Sequence, residues 1–385
     1  MERKDFIELI TNAFRVHQVV TLLGPRQCGK TTLARMYIDH LGGIDRANYF
    51  DLEDPEHVER LAAAKTVLSQ LRGLIVIDEV QRRKELFPIL RVLVDTPGLN
   101  QKYLILGSAS RDLIQQSSET LAGRIQHLEV TPFNSLEVGD SSLLWVRGGF
   151  PRSYLANTDE DSLNWRKSYI SNFLERDVPA LGFQIAPESL RRFWLMLAHY
   201  HGALFNASEI GSSLGASDTT MRRYLDILSG TFMVRQLSPW YENIGKRQVK
   251  SPKIYFRDSG IFHALLGLRD RDALLAHPKL GASWEGMALE EIIRIHQATP
   301  EEVYFWAVHG QVDLDLMILK DGKRLGFEFK YSDAPKATRS MHVAMEDLKL
   351  NSLTVIFPGE SEYPLAKNIW AQGFQSWITQ KRHFE

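Results

Sequence analysis

The chain has 385 residues, 44% hydrophobic and 24% charged, with 46 lysines and arginines against 47 aspartates and glutamates for a formal net charge of -1. These proportions exclude collagen-like, low-complexity and disordered classes, and at about 100–200 residues per domain the length implies two or three domains with separate cores. A single cysteine, Cys28, excludes a disulfide framework and any four-cysteine zinc module and suits a reducing cytosol, while the balanced charge by itself points to no nucleic-acid partner.

The opening MERKDFIELITNAFRVHQ spreads its charges and has no apolar core followed by a cleavage site, so no signal peptide is expected. No run reaches the roughly 18 apolar residues that span a bilayer, so the expectation is a cytoplasmic chain with no membrane partner. The first part alternates apolar runs, VVTLL (19–23), NYF (48–50), LIVI (74–77), YLILG (103–107) and HLEV (127–130), with helical stretches. Runs apolar on both faces and separated by helices predict an α/β domain around a parallel sheet, residues 1–150.

Directly after VVTLL stands Gly24-Pro25-Arg26-Gln27-Cys28-Gly29-Lys30-Thr31, a complete G-x-x-x-x-G-K-T, with Thr32 opening a helix. Backbone N–H groups and a helix N-terminus must wrap a polyphosphate here, and the glycines leave the room they need. Lys30 is the candidate for the β- and γ-phosphates, and Thr31 for Mg2+. The strand LIVI ends in Asp78-Glu79, where a carboxylate faces the crevice at the carboxyl ends of parallel strands. Asp78 is the second candidate for Mg2+ and Glu79 the candidate that polarises water, so ATP and Mg2+ are the expected cofactors. No N-K-x-D motif reads guanine.

YLILG ends in Gly107-Ser108-Ala109-Ser110, where a γ-phosphate sensor would sit; Ser108 is the first candidate, Ser110 the second, and small residues that merely end a strand are the alternative. Arg124 is the candidate arginine finger of a homo-oligomer formed in the ATP state, a surface salt bridge being the other reading. Arg111 and Arg152 are weaker alternatives. Cys28 lies inside the phosphate loop, so a bulky thiol reagent is expected to block nucleotide binding and ATP to protect.

GPRQCGKTTL, YFDLEDPEHVERL, LIVIDEVQ, YLILGSAS, ETLAGRI and GGFP, followed by SYISNFLERDV, ASEIGSSLGASDTTMRRYLDIL and KSPKIYFRDSGIFHALLGL, together resemble the bacterial and archaeal AAA-type ATPases that carry a conserved C-terminal domain of unknown function. The resemblance covers nearly the whole chain. It implies an AAA+ P-loop core, then a mainly helical winged-helix region at 151–268, then an α/β restriction-endonuclease-like domain at 269–385.

In the middle region Asn206 can cap a helix through Leu214, and Gly215 makes a turn before a second amphipathic helix at 218–228. Thr219, Arg222 and Arg223 lie off its apolar stripe, the layout of a DNA-reading helix pair. Residues 222–257 hold eight lysines and arginines against two acids, interleaved with Tyr241, Tyr255 and Phe256. Lys246, Arg247 and Lys250 join Thr219, Arg222 and Arg223 as candidate nucleic-acid contacts. A packing or protein-docking module fits the same pattern.

VYFWAV (303–308), VDLDLMIL (312–319), LGFEFK (325–330) and LTVIF (353–357) read as strands. The ExK spacing puts Glu328 and Lys330 on one strand face, and Asp313 on the neighbouring strand can share a divalent metal with Glu328, with Lys330 beside it. This resembles the D…ExK signature of restriction-type nucleases, in which Glu285 matches a helix acid and Asp315 is an extra candidate. Gln311 stands where relatives of that type carry an acid, and an exposed Lys/Glu ladder is the alternative. The leading expectation is an ATPase coupled to a C-terminal module that binds DNA or RNA, with cleavage left open by the signature. The alternative is a nucleotide-gated scaffold that binds protein.

Overall fold

The computed structural model describes residues 1–108, 117–242, 249–308 and 312–383. Contacts divide them into two compact units, Met1–Phe133 with Gly230–Phe232 and, from Asn134 on, the remaining described residues. The division falls before residue 150 because Trp145 and Val146 enter the second unit's core.

The first unit carries a five-stranded parallel sheet in the order β2-β3-β4-β1-β5: β1 Val19–Gly24, β2 Tyr49–Asp51, β3 Gly73–Asp78, β4 Gln101–Ser108 and β5 Ile125–Glu129. β1 is buried at every position, as a strand covered on both faces must be. Helices α1 Lys4–Val16, α2 Lys30–His40 and α3 Leu86–Val94 accompany the sheet. One core joins Val19, Leu23, Ile75, Ile77 and Ile105 to Leu86, Phe87, Leu90 and Leu93 of α3. Each such side chain contributes about 1.5–3 kcal/mol on burial. The strand order puts β4 between β1 and β3, so Ser108 lies at the strand end between the phosphate loop and Asp78.

In the second unit α4 Ser141–Arg147, α5 Asp159–Asn172 and α6 Pro187–His199 precede the edge strand β6 Ala203–Leu204. The helix pair α7 Ala207–Leu214 and α8 Asp218–Gly230 follows. Asn206 Oδ1 accepts the N–H of Glu209 at 3.2 Å, and Gly215 ends α7 at φ 68, a left-handed value that favours glycine. Met221, Leu225 and Leu228 form the buried stripe of α8.

Two strands that helical periodicity does not reveal, β7 Val234–Pro239 and β8 Lys253–Phe256, form a hairpin after α8; α9 Ser259–Leu265 and α10 Leu280–Ile295 follow. Then come β9 Val303–Val308, β10 Val312–Lys320, β11 Lys323–Phe329, α11 Arg339–Asp347, β12 Ser352–Phe357, β13 Glu362–Ala366, β14 Ile369–Gly373 and α12 Phe374–His383. β7 pairs in parallel with β9, so among the described residues the β7–β8 hairpin, at the place of the wing that the resemblance implies, joins β6 and the C-terminal strands in one nine-stranded mixed sheet, β13-β14-β12-β11-β10-β9-β7-β8-β6. α10 packs Trp284, Met287, Ile292 and Ile293 onto one face, while Met341 and Ala344 of α11 pack with Leu353 and Val355 on the other.

Candidate functional site

Gly24, the last residue of β1, is required by close approach: a Cβ there would lie 2.1 Å from the Val130 carbonyl oxygen. Gln27 and Gly29 adopt left-handed backbones, φ 61 and φ 100, and Gly29 leads into α2, turning loop amides toward the helix N-terminus. Pro25 and Cys28 are buried, Gln27 and Thr32 exposed, and Arg26 pairs with Glu53 at 2.8 Å. Arg3, which sequence reasoning missed, braces the loop from behind: its guanidinium donates to the carbonyls of Cys28 at 3.4 Å and Thr131 at 2.9 Å.

The chemistry-bearing side chains meet at the ends of β1, β3 and β4. Lys30 Nζ donates to the carbonyls of Gly24 at 3.0 Å and Pro25 at 2.8 Å. Thr31 Oγ1 donates to Asp78 Oδ2 at 2.8 Å, and the Tyr49 hydroxyl donates to the same oxygen at 3.2 Å. Burial raises the Asp78 carboxyl above its usual range, against the hydrogen bonds from Thr31 and Tyr49. Glu79 has a left-handed backbone, φ 58, costly for a residue with a Cβ and a feature that gathers at functional sites. Burial raises its pKa, with the Lys30 charge opposing. The Gln81 amide donates to Glu79, and its carbonyl accepts the Ser108 N–H at 3.2 Å. The Ser108 hydroxyl oxygen is buried with no hydrogen-bond partner among the described residues.

These groups fit a magnesium nucleotide. The loop has glycine where side chains would block it, and among the described residues the ammonium holds only backbone carbonyls and a buried hydroxyl lacks a partner. Thr31 and Asp78 would hold the metal through the oxygens that now meet each other. Tyr49 and Gln81 carry polar side chains near the ends of β2 and β3, a signal legible in YFDLED and IDEVQ.

Cys28 is fully buried, its Sγ 3.3 Å from the Val130 carbonyl oxygen, and burial pushes the thiol pKa up. The expectation of a thiol reagent acting at the loop is corrected on that ground, since burial closes the thiol to a bulky reagent and disfavours its thiolate. Arg124 is paired within the chain, its guanidinium donating to Asp95 Oδ1 at 2.6 Å and Oδ2 at 2.9 Å. Arg152 is exposed, and Ser110 and Arg111 lie outside the described residues.

On α8, Thr219, Arg222 and Arg223 are exposed on the face opposite the buried stripe, and Lys250 is exposed before β8. Arg222 and Arg223 make no hydrogen bond or ion pair among the described residues. Lys246, Arg247 and Gln311 lie outside the described residues.

The C-terminal acids gather differently from the D…ExK expectation. Asp313 is exposed at the start of β10, where its N–H donates to Ser340 Oγ at 2.8 Å. Asp315 takes the buried position, because a register shift between Leu314 and Met317 turns Asp315 and Leu316 alike to the α10 face. Lys330 Nζ lies 2.8 Å from Glu328 Oε2 and 3.7 Å from Asp315 Oδ2. Two residues of β8 join them: Lys253 Nζ is 3.4 Å from Asp315 Oδ1, and the Tyr255 hydroxyl donates to Glu285 Oε1 at 2.5 Å. Their i, i+2 spacing on one strand face was the available signal. Burial and the Asp315 charge push Glu285 and Glu328 up, while Lys253 and Lys330 outweigh burial to hold Asp315 down. Among the described residues no three acid, histidine or cysteine side chains are placed to hold a metal ion together, and here two ammonium groups, Lys253 and Lys330, stand among the acids. This set does not fit a resident divalent ion, and no cleavage step is derived from it.

A parallel sheet with its phosphate loop after β1, its acid pair after β3 and β4 between them defines a P-loop nucleoside triphosphatase of the AAA class. An AAA domain model matches residues 16–139, and two domains of unknown function, DUF8612 and DUF4143, match 139–272 and 280–377. An uncharacterized protein of Mycobacterium tuberculosis is 47% identical over 373 residues, covering 96% of this chain and 83% of the relative, and one of Mycobacterium bovis gives the same values. The chain belongs to the AAA-type ATPases with a conserved C-terminal domain of unknown function. A solved Walker-type ATPase of Pyrococcus abyssi aligns with a TM-score of 0.47 at 15% identity, over 69% of this chain and 95% of that one. Among the described residues no helix is long and apolar enough to cross a membrane.

Proposed function

We propose that the protein binds and hydrolyses ATP with Mg2+ and couples turnover to a nucleic acid docked on α8. The convergence of Lys30, Thr31, Asp78, Glu79 and Ser108, whose hydroxyl has no partner among the described residues, at three neighbouring strand ends carries the ATPase reading. Thr31 and Asp78 would hold Mg2+, which when bound neutralises charge on the transferring phosphoryl group. Lys30 exchanges its loop carbonyls for phosphate oxygens. Glu79 takes the proton of the attacking water, and Ser108 donates to the charge that develops beside it. Lys30→Ala is expected to abolish nucleotide binding, and Glu79→Gln to retain binding and lose turnover; normal turnover in Glu79→Gln would sink the assignment.

Arg222 and Arg223, exposed and without an ion pair among the described residues, support nucleic-acid contact over protein docking. Stimulation of the ATPase by DNA or RNA, falling steeply with salt and lost in Arg222→Ala/Arg223→Ala, is the expected result. Stimulation by a protein alone would favour the scaffold reading. Arg124 would serve a neighbouring copy only after leaving Asp95, so an active enzyme that stays monomeric with ATP refutes that role.

A further inference from the structure

We infer that Lys253 is a built-in cation standing in for a divalent metal in the C-terminal acid cluster, so that this centre ties the wing strand β8 to the C-terminal sheet and does not support metal-dependent cleavage. The inference is independent of the nucleotide site.

Three acids from three elements meet here, Glu285 of α10, Asp315 of β10 and Glu328 of β11, and the chain itself supplies their partners. Asp315 Oδ1 faces Lys253 at 3.4 Å, and its Oδ2 accepts the Phe329 N–H at 3.1 Å with Lys330 3.7 Å away. Glu328 Oε2 faces Lys330 at 2.8 Å, and Glu285 Oε1 accepts the Tyr255 hydroxyl at 2.5 Å. Glu328 Oε1 is buried with no partner among the described residues. A divalent ion entering here would share a low-dielectric space with two ammonium groups and, beyond Glu328 Oε1, would have to displace the donors held by Asp315, by Glu285 Oε1 and by Glu328 Oε2.

Lys253 is not an adaptable surface lysine. Its backbone pairs with Leu237 of β7 on one side and Leu204 of β6 on the other. Its side chain is 11% exposed, and Nζ lies 5.5 Å from the Phe305 ring centroid. Sheet register therefore delivers the charge to the cluster. Lys330, at 41% side-chain exposure, is the looser of the two cations. Removing Lys253 leaves three acids against one lysine, a charge balance that invites a metal.

The test uses the full chain without nucleotide and follows Mn2+ binding by electron paramagnetic resonance. The wild-type protein is expected to show no Mn2+ site sensitive to Glu328→Gln. Lys253→Met keeps the apolar stem over Phe305 and is expected to bind Mn2+ at least roughly tenfold more tightly, a gain that Glu328→Gln removes. A wild-type Mn2+ site abolished by Glu328→Gln overturns the inference, as does a folded Lys253→Met protein with no gain. If Lys253→Met does not fold, thermal melts of Lys253→Met/Asp315→Asn decide: removing both charges is expected to restore folding, and a double variant as unstable as the single one overturns the inference.

Discussion

The side-chain carbonyl of Gln81 accepts the backbone N–H of Ser108 at 3.2 Å, while the same amide group donates to Glu79. One glutamine thus fixes the candidate base, directly after β3, against the end of β4, the strand that lies between β3 and β1. Gln81→Ala is expected to lower kcat by roughly 10- to 100-fold through misplacement of Glu79, with nucleotide affinity nearly unchanged. Equal losses in affinity and turnover would show instead that Gln81 supports the loop as a whole.

Gly24→Ala places a methyl group 2.1 Å from the Val130 carbonyl oxygen, a contact only backbone movement relieves. The expected cost is about 1–3 kcal/mol of stability together with loss of nucleotide binding, read by thermal melts and fluorescent nucleotide titration. An unchanged melt would mean that the loop and the segment after β5 yield more easily than their packing implies.

The Cys28 thiol is buried and its pKa raised, so a disulfide reagent is expected to label it only as the first unit unfolds. Labelling in native buffer should be at least about 100-fold slower than in denaturant, with or without ATP. Fast native labelling that ATP suppresses would restore the view of an accessible loop thiol.

Glu290 is buried among Arg235, at 2.5 Å and 3.1 Å, and Arg257, at 3.4 Å. Burial works against its ionisation, but the arginines prevail and hold its pKa down at about 2. A carboxyl depressed in the folded state stabilises above its unfolded pKa of about 4.3 and loses that contribution as pH falls toward the folded value. Glu290→Gln is expected to cost about 3–5 kcal/mol near neutral pH by removing the negative charge that offsets the buried Arg235 and Arg257. The gap from wild type should narrow between about pH 4.5 and pH 2 in denaturant titrations. A gap that stays constant with pH would assign the loss to packing.

The loop between β1 and α2 and the acid pair at the end of β3 were legible in sequence because their signals are local. A strand, a glycine-bounded loop and a helix start lie within one short run, and Asp78-Glu79 closes a strand whose apolar faces announce burial. The helix pair of the second unit was legible too, since a cap at Asn206, a turn at Gly215 and an apolar stripe on α8 are each written in adjacent residues. What lay beyond reach was every feature set by strand order. Arg3 reaches a carbonyl 128 positions away, and Lys253 meets Asp315 across 62. Tyr49 meets Asp78 because β2 pairs with β3, and a single register shift in β10 brings Asp315 into the acid cluster while Asp313 stays at its rim. By itself the sequence determined where the glycine-bounded loop and the acid pair lie and where helices begin and end, because hydrogen bonding and burial along a few residues decide those. Only the tertiary structure decided which charges neutralise which acids, because the parallel pairing of β7 with β9 brings a lysine from the wing to a place that a metal was expected to fill.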